Sequence, residues 1–389
     1  MEQNAIIYLD NAATTFPKPR AVVDEVLRST VKYGGNAGRG SHALALEAAE
    51  KVFECRELLA EFFGADGAES VFFTMNTTYA LNWVIKGILR KGDHVIISDM
   101  EHNAVWRPIK KLADEGFIEY DIFRSMTCDE RRSPIRICAN IAKLLRKNTK
   151  LVISTHVSNL CSVKMPVGEI GRFCRRHGLY FVVDGAQSAG HERISMKEMC
   201  IDALCVPGHK GLYGIQGSGA VIFGEAMRLE TLVEGGNGVN SLESVMPDFS
   251  PERYESGTLP LPAIAGLCEG VKWISKVGRE RISEHERALF DYAKSRLERL
   301  ERVKLYGGEY CGATLLFGID GYTSEKVARK LGEQGICTRG GYHCSALGHN
   351  TLGTVDNGAV RISFGAFNRL SHVDALEDAI KRISREGIN

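Results

Sequence analysis

Short apolar runs alternate with longer segments of helical periodicity from residue 70 onward. The sequence predicts strands at 70–74, 94–98, 117–123, 151–155, 179–183, 201–206 and 219–223. Helical spacing of apolar residues predicts helices between them, at 79–89, in the segment that ends at 115, at 135–146 and at 166–178. Strands that alternate with helices predict βαβ units, and therefore an α/β fold with a mostly parallel sheet that is covered on both faces.

The alternation stops at 225–260, where glycines and prolines predict a loop-rich crossover. The charged stretch 276–302 is predicted to be a helix with one solvated face, and 303–385 has the pattern of a smaller α+β unit. A chain of 389 residues agrees with two units, because single hydrophobic cores stop growing at ~250–300 residues. We predict a large domain of residues 15–262 and a small domain formed by 1–14 with 263–389.

Composition excludes several classes of protein. Lysine and arginine total 49 against 48 aspartates and glutamates, so an excess of positive charge that would bind nucleic acid is missing. No apolar run approaches the ~20 residues that span a bilayer, and the start of the chain lacks the features of a secretory signal. The 11 cysteines are scattered without a CxxC pair, which predicts reduced thiols, a cytoplasmic protein and no metal site.

Polar residues follow the predicted strands at one topological position. Thr77 and Thr78, His102, Asn159, Asp184 and Lys210 each come shortly after a different strand. In open α/β sheets, ligands bind outside the carboxyl ends of the strands. We therefore expect these side chains to share one site.

Each of these residues also has a structural interpretation. Asp184 is in a position typical of a helix N-cap, and so are Thr77 and Thr78. A carboxylate can also face a cationic ring nitrogen, and a helix start can bind phosphate. Lys210 stands between glycine-rich neighbours, where an enclosed amine can lose its proton and form a Schiff base. Asp184 and Lys210 together favour pyridoxal phosphate, whereas 211–219 lacks the order of glycines that a nucleotide loop requires.

The segment 339–344 (RGGYHC) contains the candidate reactive thiol. Cys344 lies among glycine-rich, polar and cationic residues, and Arg339 and His343 could support a thiolate. Arg361 alternates with apolar neighbours in a predicted strand, so an inward guanidinium there needs an anionic partner. A substrate carboxylate fits that requirement.

These motifs together resemble the class V aminotransferase family of fold-type I pyridoxal phosphate enzymes, and within it the cysteine desulfurases and selenocysteine lyases. The resemblance covers nearly the whole chain, and the short cysteine loop is similar to that of the group II desulfurases. The motifs that carry it are YLDNAATTFPKP (8–19), EHNA (101–104), HVSN (156–159), VDGAQSAGH (183–191), GHK (208–210), GT (257–258) and RGGYHC (339–344).

The resemblance implies a large domain on a mostly parallel sheet, a smaller α+β domain, and pyridoxal 5'-phosphate as cofactor. It implies catalytic roles for Lys210, which would hold the cofactor and move protons, for His102, which would stack on the ring, and for Cys344. The residues implied to bind the cofactor are Thr77, Thr78, Asn159, Asp184, Gln187, His209, Lys210 and Thr258, the last from the neighbouring subunit of a homodimer. Those implied to bind substrate are Arg361, Arg339 and Asn36.

The implied reaction is the conversion of L-cysteine to L-alanine, with sulfur transferred to Cys344 as a persulfide and then to an acceptor protein. A selenocysteine lyase and a class V aminotransferase are alternatives on the same scaffold, and a catalytically idle, partner-binding relative is disfavoured by the retained site residues. The sequence departs from the family pattern at Pro207, where a serine is common, and at Gly38, where histidine is usual. Neither nucleic acid nor a membrane is expected as a partner.

Overall fold

The computed structural model describes residues 6–38, 40–125, 133–224, 227–307 and 312–386. The helices are α1 (Arg20–Val31), α2 (Ala43–Phe63), α3 (Thr77–Ile88), α4 (Asn103–Asp114), α5 (Pro134–Ala142), α6 (Val167–Arg176), α7 (Leu261–Val277), α8 (Arg279–Leu297), α9 (Ser324–Glu333), α10 (Ala346–Leu352) and α11 (Leu370–Glu386). The strands are β1 (Ile7–Tyr8), β2 (Val71–Thr74), β3 (His94–Ser98), β4 (Glu119–Phe123), β5 (Thr149–Thr155), β6 (Tyr180–Asp184), β7 (Ala203–Pro207), β8 (Gly219–Phe223), β9 (Val303–Tyr306), β10 (Thr314–Ile319), β11 (Ile336–Cys337), β12 (Arg339–Gly341) and β13 (Ala359–Ser363).

A seven-stranded sheet forms the larger part of the fold, in the order β2-β8-β7-β6-β5-β3-β4. All neighbours from β7 to β4 are parallel, and β8 runs antiparallel to both of its neighbours. The central strands are buried along most of their length, as expected when helices cover both faces. The prediction of an α/β fold with a mostly parallel sheet is confirmed.

The direction of the strands places the candidate residues at one edge. Strands β2, β3, β5, β6 and β7 all end at this edge, because β2 is antiparallel to β8 and β8 is antiparallel to β7. The segments that follow these strands therefore meet in space. This arrangement is the one that the recurrence of polar residues after strands predicts.

A second sheet lies in the C-terminal part of the chain. It contains four antiparallel strands in the order β12-β13-β10-β9, and β1 pairs separately with β11 in parallel. The predicted domain division at residue 262 falls inside α7 and stays a prediction. None of the helices in the described ranges is long and apolar enough to cross a membrane.

Element boundaries differ from the prediction where tertiary pairing extends or shortens a pattern. Strand β5 begins two residues early because Thr149 pairs with His94 in the neighbouring strand. Asp184 is the last residue of β6 and not the first residue beyond it, since it pairs with Cys205 of β7. Helix α8 buries Leu289 and Phe290 on one face and exposes the charged side chains of the other.

Candidate active site

One cavity at the carboxyl edge of the large sheet brings together most of the predicted site residues. The predicted residues that line it are Thr77, Thr78, His102, Asn159, Asp184, Gln187, His209 and Lys210. Asp184 is the last residue of β6, and the others come from the segments that follow β2, β3, β5, β6 and β7. The sheet topology alone therefore assembles residues that are far apart in the sequence.

Lys210 and Asp184 supply an amine and a carboxylate to this cavity. Burial lowers the pKa of the Lys210 amine to about 8, against the opposing attraction of Asp184. Asp184 is 2% exposed, and burial raises its pKa, while a hydrogen bond from the Ala186 backbone N–H to Oδ1 (2.9 Å) and the charge of Lys210 act in the other direction. A lysine with a lowered pKa is partly unprotonated near neutral pH and can form a Schiff base.

Two residues that line the same cavity, Thr77 at the start of α3 and His209 after β7, have unpaired polar atoms. Asn76 caps the helix, accepting a hydrogen bond from the Tyr79 backbone N–H at 3.1 Å. Thr77 Oγ1 and His209 Nδ1 are buried and have no hydrogen-bond partner among the described residues. Buried polar atoms are nearly always paired in native proteins, so these two are expected to have a ligand. A helix N-terminus favours an anion there, such as a phosphate.

The His102 ring has a defined tautomer. His102 is the N-cap of α4, and its Nδ1 accepts a hydrogen bond from the Ala104 backbone N–H at 3.0 Å. The proton of the neutral ring is therefore on Nε2. Burial, and secondarily the charges of Lys210 and Arg339, lowers the pKa of His102 to about 3. The ring is neutral at pH 7.

Gln187 and Asn159 connect the cavity to neighbouring segments. Gln187 Nε2 donates to the carbonyl of Ala12 at 2.9 Å. Asn159 Nδ2 donates to the carbonyl of His343 at 2.9 Å, so this side chain joins the cavity to the cysteine loop. The contacts of both residues with a cofactor ring stay predictions.

Arg361 lies in β13, is 1% exposed and has an anionic partner within the chain. Its Nη2 is 2.7 Å from Asp10 Oδ1, its Nη1 donates to the Asn159 carbonyl at 3.0 Å, and its Nε has no partner among the described residues. Arg339 is directly opposite Arg361 across the β12–β13 pair. Like charges placed opposite each other on a sheet are destabilising, and Asp10 balances only one of them. The pair can therefore accept a further anion, such as a carboxylate.

Cys344 is the exposed cysteine among the nine that the structure describes; Cys128 and Cys311 lie outside the described residues. Its Sγ lies 3.8 Å from Arg339 Nη2. Its carbonyl accepts a hydrogen bond from the Asn103 backbone N–H at 2.7 Å, next to His102. The thiol is therefore held beside the cavity, and it is accessible.

Asn36 and Thr258 do not line this cavity. Asn36 Nδ2 donates to Thr258 Oγ1 at 3.3 Å, and Asn36 lines a separate cleft with Gly257. The two segments pack together because one follows α1 and the other precedes α7, and these helices are in contact. Within one chain, neither residue reaches Lys210. The motif around Gly38 continues into Arg39, which lies outside the described residues.

Sequence analysis missed several residues that hold the site. Asp10 belongs to a quoted motif but was assigned no role, although it pairs with Arg361. Lys18, in the same motif, donates from Nζ to the His209 carbonyl at 2.7 Å, and burial lowers its pKa to about 7. His349, six residues after His343, contacts the His343 ring. The polar residues of the first motif, Asp10 and Lys18, could have been identified from the sequence. The contact between His343 and His349 becomes evident only in the folded structure.

The residues of the cavity fit pyridoxal phosphate. The amine of Lys210 can bond to an aldehyde, and the Asp184 carboxylate can pair with a protonated ring nitrogen. The unpaired atoms of Thr77, at the start of α3, and of His209, after β7, can bind phosphate. Pro207, the last residue of β7, lines the cavity without supplying a hydroxyl.

Comparison with known proteins agrees with this geometry. A probable cysteine desulfurase of Methanothermobacter thermautotrophicus is 32% identical over 98% of this chain and 95% of its own length. The cysteine desulfurase of Haloferax volcanii is 33% identical over 96% of this chain and 88% of its own length. A probable cysteine desulfurase of Mycolicibacterium paratuberculosis is 32% identical over 99% of this chain, but the chain spans only 56% of that longer protein.

Solved structures show the same relationship. The apo cysteine desulfurase of Thermococcus onnurineus superposes with a TM-score of 0.88 at 30% identity, over 98% of this chain and 95% of that chain. A cysteine desulfurase of Escherichia coli gives a TM-score of 0.85 at 26% identity, over 98% of this chain and 95% of that chain. The fold is therefore that of the fold-type I pyridoxal phosphate enzymes. A family model described as aminotransferase class-V matches residues 7–376, and the chain belongs to the class V aminotransferase family.

Proposed function

We propose that this protein is a pyridoxal phosphate-dependent cysteine desulfurase, which converts L-cysteine to L-alanine and takes the sulfur onto Cys344 as a persulfide. One observation carries the proposal. An exposed thiol, 3.8 Å from an arginine nitrogen, is held by a backbone hydrogen bond from Asn103, the residue next to His102 in the Lys210 cavity. An ordinary aminotransferase has no use for a nucleophilic sulfur at that position.

The proposed transfer breaks one bond and forms one bond at sulfur. The Cys344 thiolate attacks the substrate sulfur, an S–S bond forms and the substrate C–S bond breaks. The electron pair of the C–S bond stays on the substrate carbon, which gains a proton to become the methyl group of alanine. Bound pyridoxal phosphate would supply the electron sink at the substrate α-carbon.

Lys210 and His102 are suited to the proton transfers. The Lys210 amine, with a pKa of about 8, can accept a proton and return it near neutral pH. His102 is neutral and its Nδ1 accepts from the Ala104 N–H, so this ring assists by donating a hydrogen bond from Nε2–H. We assign proton movement to Lys210 Nζ and stacking with proton assistance to His102.

Arg339 and Arg361 are the proposed carboxylate site. They are paired across β12 and β13, Asp10 neutralises one of them, and Arg361 Nε has no partner among the described residues. A planar guanidinium binds a carboxylate with two parallel hydrogen bonds. The substrate carboxylate would then neutralise the arginine charge that Asp10 does not balance.

We also propose that the active unit is a homodimer in which Thr258 completes the phosphate site of the partner chain. The support is that Thr258 and Asn36 are in contact in a cleft separate from the cavity of their own chain. Leu242, Val245 and Phe249, in the same crossover, are large exposed apolar side chains. Such residues are expected at an interface.

An acceptor protein or thiol would remove the sulfur from Cys344, because the thiol is exposed. We propose the cytoplasm as the compartment, since Cys344 is an exposed thiol and a persulfide is passed on to acceptor thiols that reducing surroundings maintain.

The test is a comparison of substrates. Purified protein loaded with pyridoxal phosphate is incubated with L-cysteine, L-selenocysteine or L-alanine plus a keto acid, and released alanine or transferred amino group is measured. Alanine from L-cysteine together with a protein persulfide supports the proposal. Alanine from L-selenocysteine alone indicates a lyase, and amino-group transfer without sulfur release indicates an aminotransferase.

A further inference from the structure

A buried chain of three side chains lies behind the Cys344 loop, outside the cavity that holds Lys210. The Nε2 atom of His343 is 3.0 Å from the Arg339 carbonyl oxygen, and its Nδ1 is 3.3 Å from His349 Nε2. His349 Nδ1 is in turn 2.6 Å from Thr354 Oγ1. All three side chains are at most 3% exposed. The proposed reaction uses none of them.

The Arg339 carbonyl determines the donors and acceptors at the two rings. The Arg339 carbonyl can only accept, so His343 Nε2 carries the hydrogen and His343 Nδ1 is a lone pair. His349 must then donate from Nε2 to His343 Nδ1, which leaves His349 Nδ1 as an acceptor for the Thr354 hydroxyl. Each hydrogen bond is therefore donated in the same direction, from Thr354 to His349, from His349 to His343 and from His343 to the Arg339 carbonyl. Both rings are neutral in this arrangement.

The burial of the His343 and His349 side chains favours the neutral form of both rings. It lowers the pKa of His343 to about 3, and the charge of Arg361 acts in the same direction. Burial lowers the pKa of His349 as well. Protonation of His343 would place its Nδ1–H against the His349 Nε2–H, so this arrangement requires a neutral His343 and is maintained near neutral pH.

The backbone that this chain supports is one that side-chain-bearing residues rarely adopt. His343 has φ +52° and Cys344 has φ +55°, so two successive non-glycine residues are left-handed. Two hydrogen bonds hold this turn from the side of the cavity, from Asn159 Nδ2 to the His343 carbonyl and from the Asn103 N–H to the Cys344 carbonyl. The His343 ring holds it from the other side, through the backbone of Arg339. Such conformations persist only where the surroundings determine them, and they are common at functional sites.

We propose that Thr354 and His349 are positioning residues, which act through His343 to keep Cys344 in its left-handed turn beside the Arg339 side chain. The inference rests on the proposed function for the role of Cys344 as nucleophile, but not for the geometry. The Arg339 carbonyl fixes the tautomer of His343, His343 fixes that of His349, and the Thr354 hydroxyl holds the far side of the His349 ring. The His343 ring thereby ties the residue before the thiol to the residue that carries the guanidinium. The thiol and the cation are thereby kept together before substrate binds.

The test compares Thr354→Val with Thr354→Ser, and uses Thr149→Val as a matched control. Thr149 Oγ1 is 2.9 Å from His94 Nδ1, a threonine–histidine hydrogen bond between the first residues of β5 and β3. These residues lie at the opposite edge of the sheet from the site. Both valine variants lose one threonine–histidine hydrogen bond. Thr149→Val also loses the acceptor of the Arg146 backbone N–H (2.7 Å), so its loss of stability in denaturant is expected to be at least as large as that of Thr354→Val.

Two readouts separate positioning from a purely structural role. The first is the rate at which iodoacetamide alkylates Cys344, measured at fixed pH by mass spectrometry. We expect about a tenfold decrease in Thr354→Val, which corresponds to one buried hydrogen bond, a rate within about twofold of the parent in Thr354→Ser, and no change in Thr149→Val. The second is nitrogen NMR of labelled histidine, which should show His343 and His349 as Nε2–H tautomers in the parent.

Any of three results would overturn the proposal. They are an alkylation rate of Cys344 in Thr354→Val equal to that of the parent, a decrease of that rate in Thr149→Val as large as in Thr354→Val, and an Nδ1–H tautomer at either ring. These readouts need no turnover, so they are independent of the reaction. In the presence of L-cysteine, persulfide formation on Cys344 should fall about tenfold in Thr354→Val while the spectral change on substrate binding is kept. A parent enzyme that forms no persulfide would contradict the proposed function, and alkylation and tautomers would still decide on the positioning residues.

Discussion

Burial sets the chemistry of single residues in this protein, and Lys210 shows this most directly. Its amine has a pKa of about 8 because it lines an enclosed cavity, and Asp184 offsets only part of that effect. A solvated lysine has a pKa near 10.4 and would hardly ever be available as a nucleophile at neutral pH.

We predict that Lys210→Ala loses the covalent attachment of pyridoxal phosphate and its visible absorption, because none of the other described residues that line the cavity carries an amine. Lys150→Ala is the control, since Lys150 lies over the Tyr180 ring in the first part of β5, away from the site. Borohydride reduction followed by peptide mass spectrometry locates the adduct. An adduct that persists in Lys210→Ala, or is lost in Lys150→Ala, would refute the assignment.

His156 gives a prediction about pH at the same scale. It is 1% exposed, and burial lowers its pKa to about 3, while the unfolded chain has a pKa of about 6.5. Between these values the unfolded state binds a proton that the folded state does not, so acid destabilises the fold through this residue. The stabilising contribution of the neutral ring is complete above pH ~6.5 and decreases as the pH falls towards 3.

We therefore predict that the free energy of unfolding of the parent falls more steeply with decreasing pH than that of His156→Phe. The difference in slope should be about 1.4 kcal/mol per pH unit below pH ~6, because one proton is involved. Glu101, whose pKa burial raises to about 8, acts in the opposite direction but is present in both proteins, so it cancels. Urea unfolding from pH 7 to 4.5 measures this difference, and parallel profiles would contradict it.

Elements were predictable where local pattern and tertiary structure agree. Strand β3 has the bounds of its prediction, and α3 begins after a strand at the Asn76 cap. Contacts that join distant elements were not predictable. The pairing of Asp10 with Arg361 depends on the N-terminal segment reaching β13, and no local pattern indicates it.

A buried ion pair shows how such a contact determines the position of an element. Arg56 of α2 binds Glu255 of the crossover, with Nη1 to Oε1 at 3.0 Å, and Glu255 Oε1 also accepts from the Phe73 backbone N–H of β2 at 2.6 Å. Both side chains of the pair are less than 9% exposed. The pair fixes the crossover three residues before Thr258.

We predict that Glu255→Gln lowers the free energy of unfolding by about 3–5 kcal/mol, because it leaves the Arg56 charge buried without a counter-charge. Combining Arg56→Met with Glu255→Leu should cost less than the sum of the two single changes. Glu198→Gln, which breaks the exposed pair with Arg193, is the control and should cost less than about 1 kcal/mol. Equal losses for Glu255→Gln and Glu198→Gln in urea unfolding would show that burial is not the cause.

At the scale of the whole molecule, the sequence predicts the fold and most residues of the site, but it does not predict where every one of those residues lies. Alternating strands and helices predict the sheet, and the sheet predicts one edge where Thr77, His102, Asp184 and Lys210 meet. The positions of Asn36 and Thr258 were not predictable in this way, because the segments that contain them pack on each other, away from that edge.

We predict that the active protein has twice the 42.8 kDa mass of one chain and that Thr258→Val weakens the binding of pyridoxal phosphate about tenfold. The physical reason is the loss of one hydroxyl to the phosphate of the partner chain. Thr30→Val, which removes an exposed hydroxyl on α1, is the control. Light scattering and cofactor titration measure both quantities. A monomer with full activity, or unchanged affinity in Thr258→Val, would contradict the shared site.

The most direct test of the proposed desulfurase is the release of alanine by Cys344→Ala, with Cys337→Ala as control. Cys337 is half-buried, lies in the same part of the chain and is two residues before Arg339. Cys344→Ala should keep the absorption of the cofactor, bind L-cysteine and release no alanine from it. It should lose much less activity on L-selenocysteine, because selenium is the better leaving centre. Cys337→Ala should behave as the parent, in which mass spectrometry should find the persulfide on Cys344. Release of alanine from L-cysteine at the parent rate by Cys344→Ala, or a persulfide on another cysteine, would contradict the account.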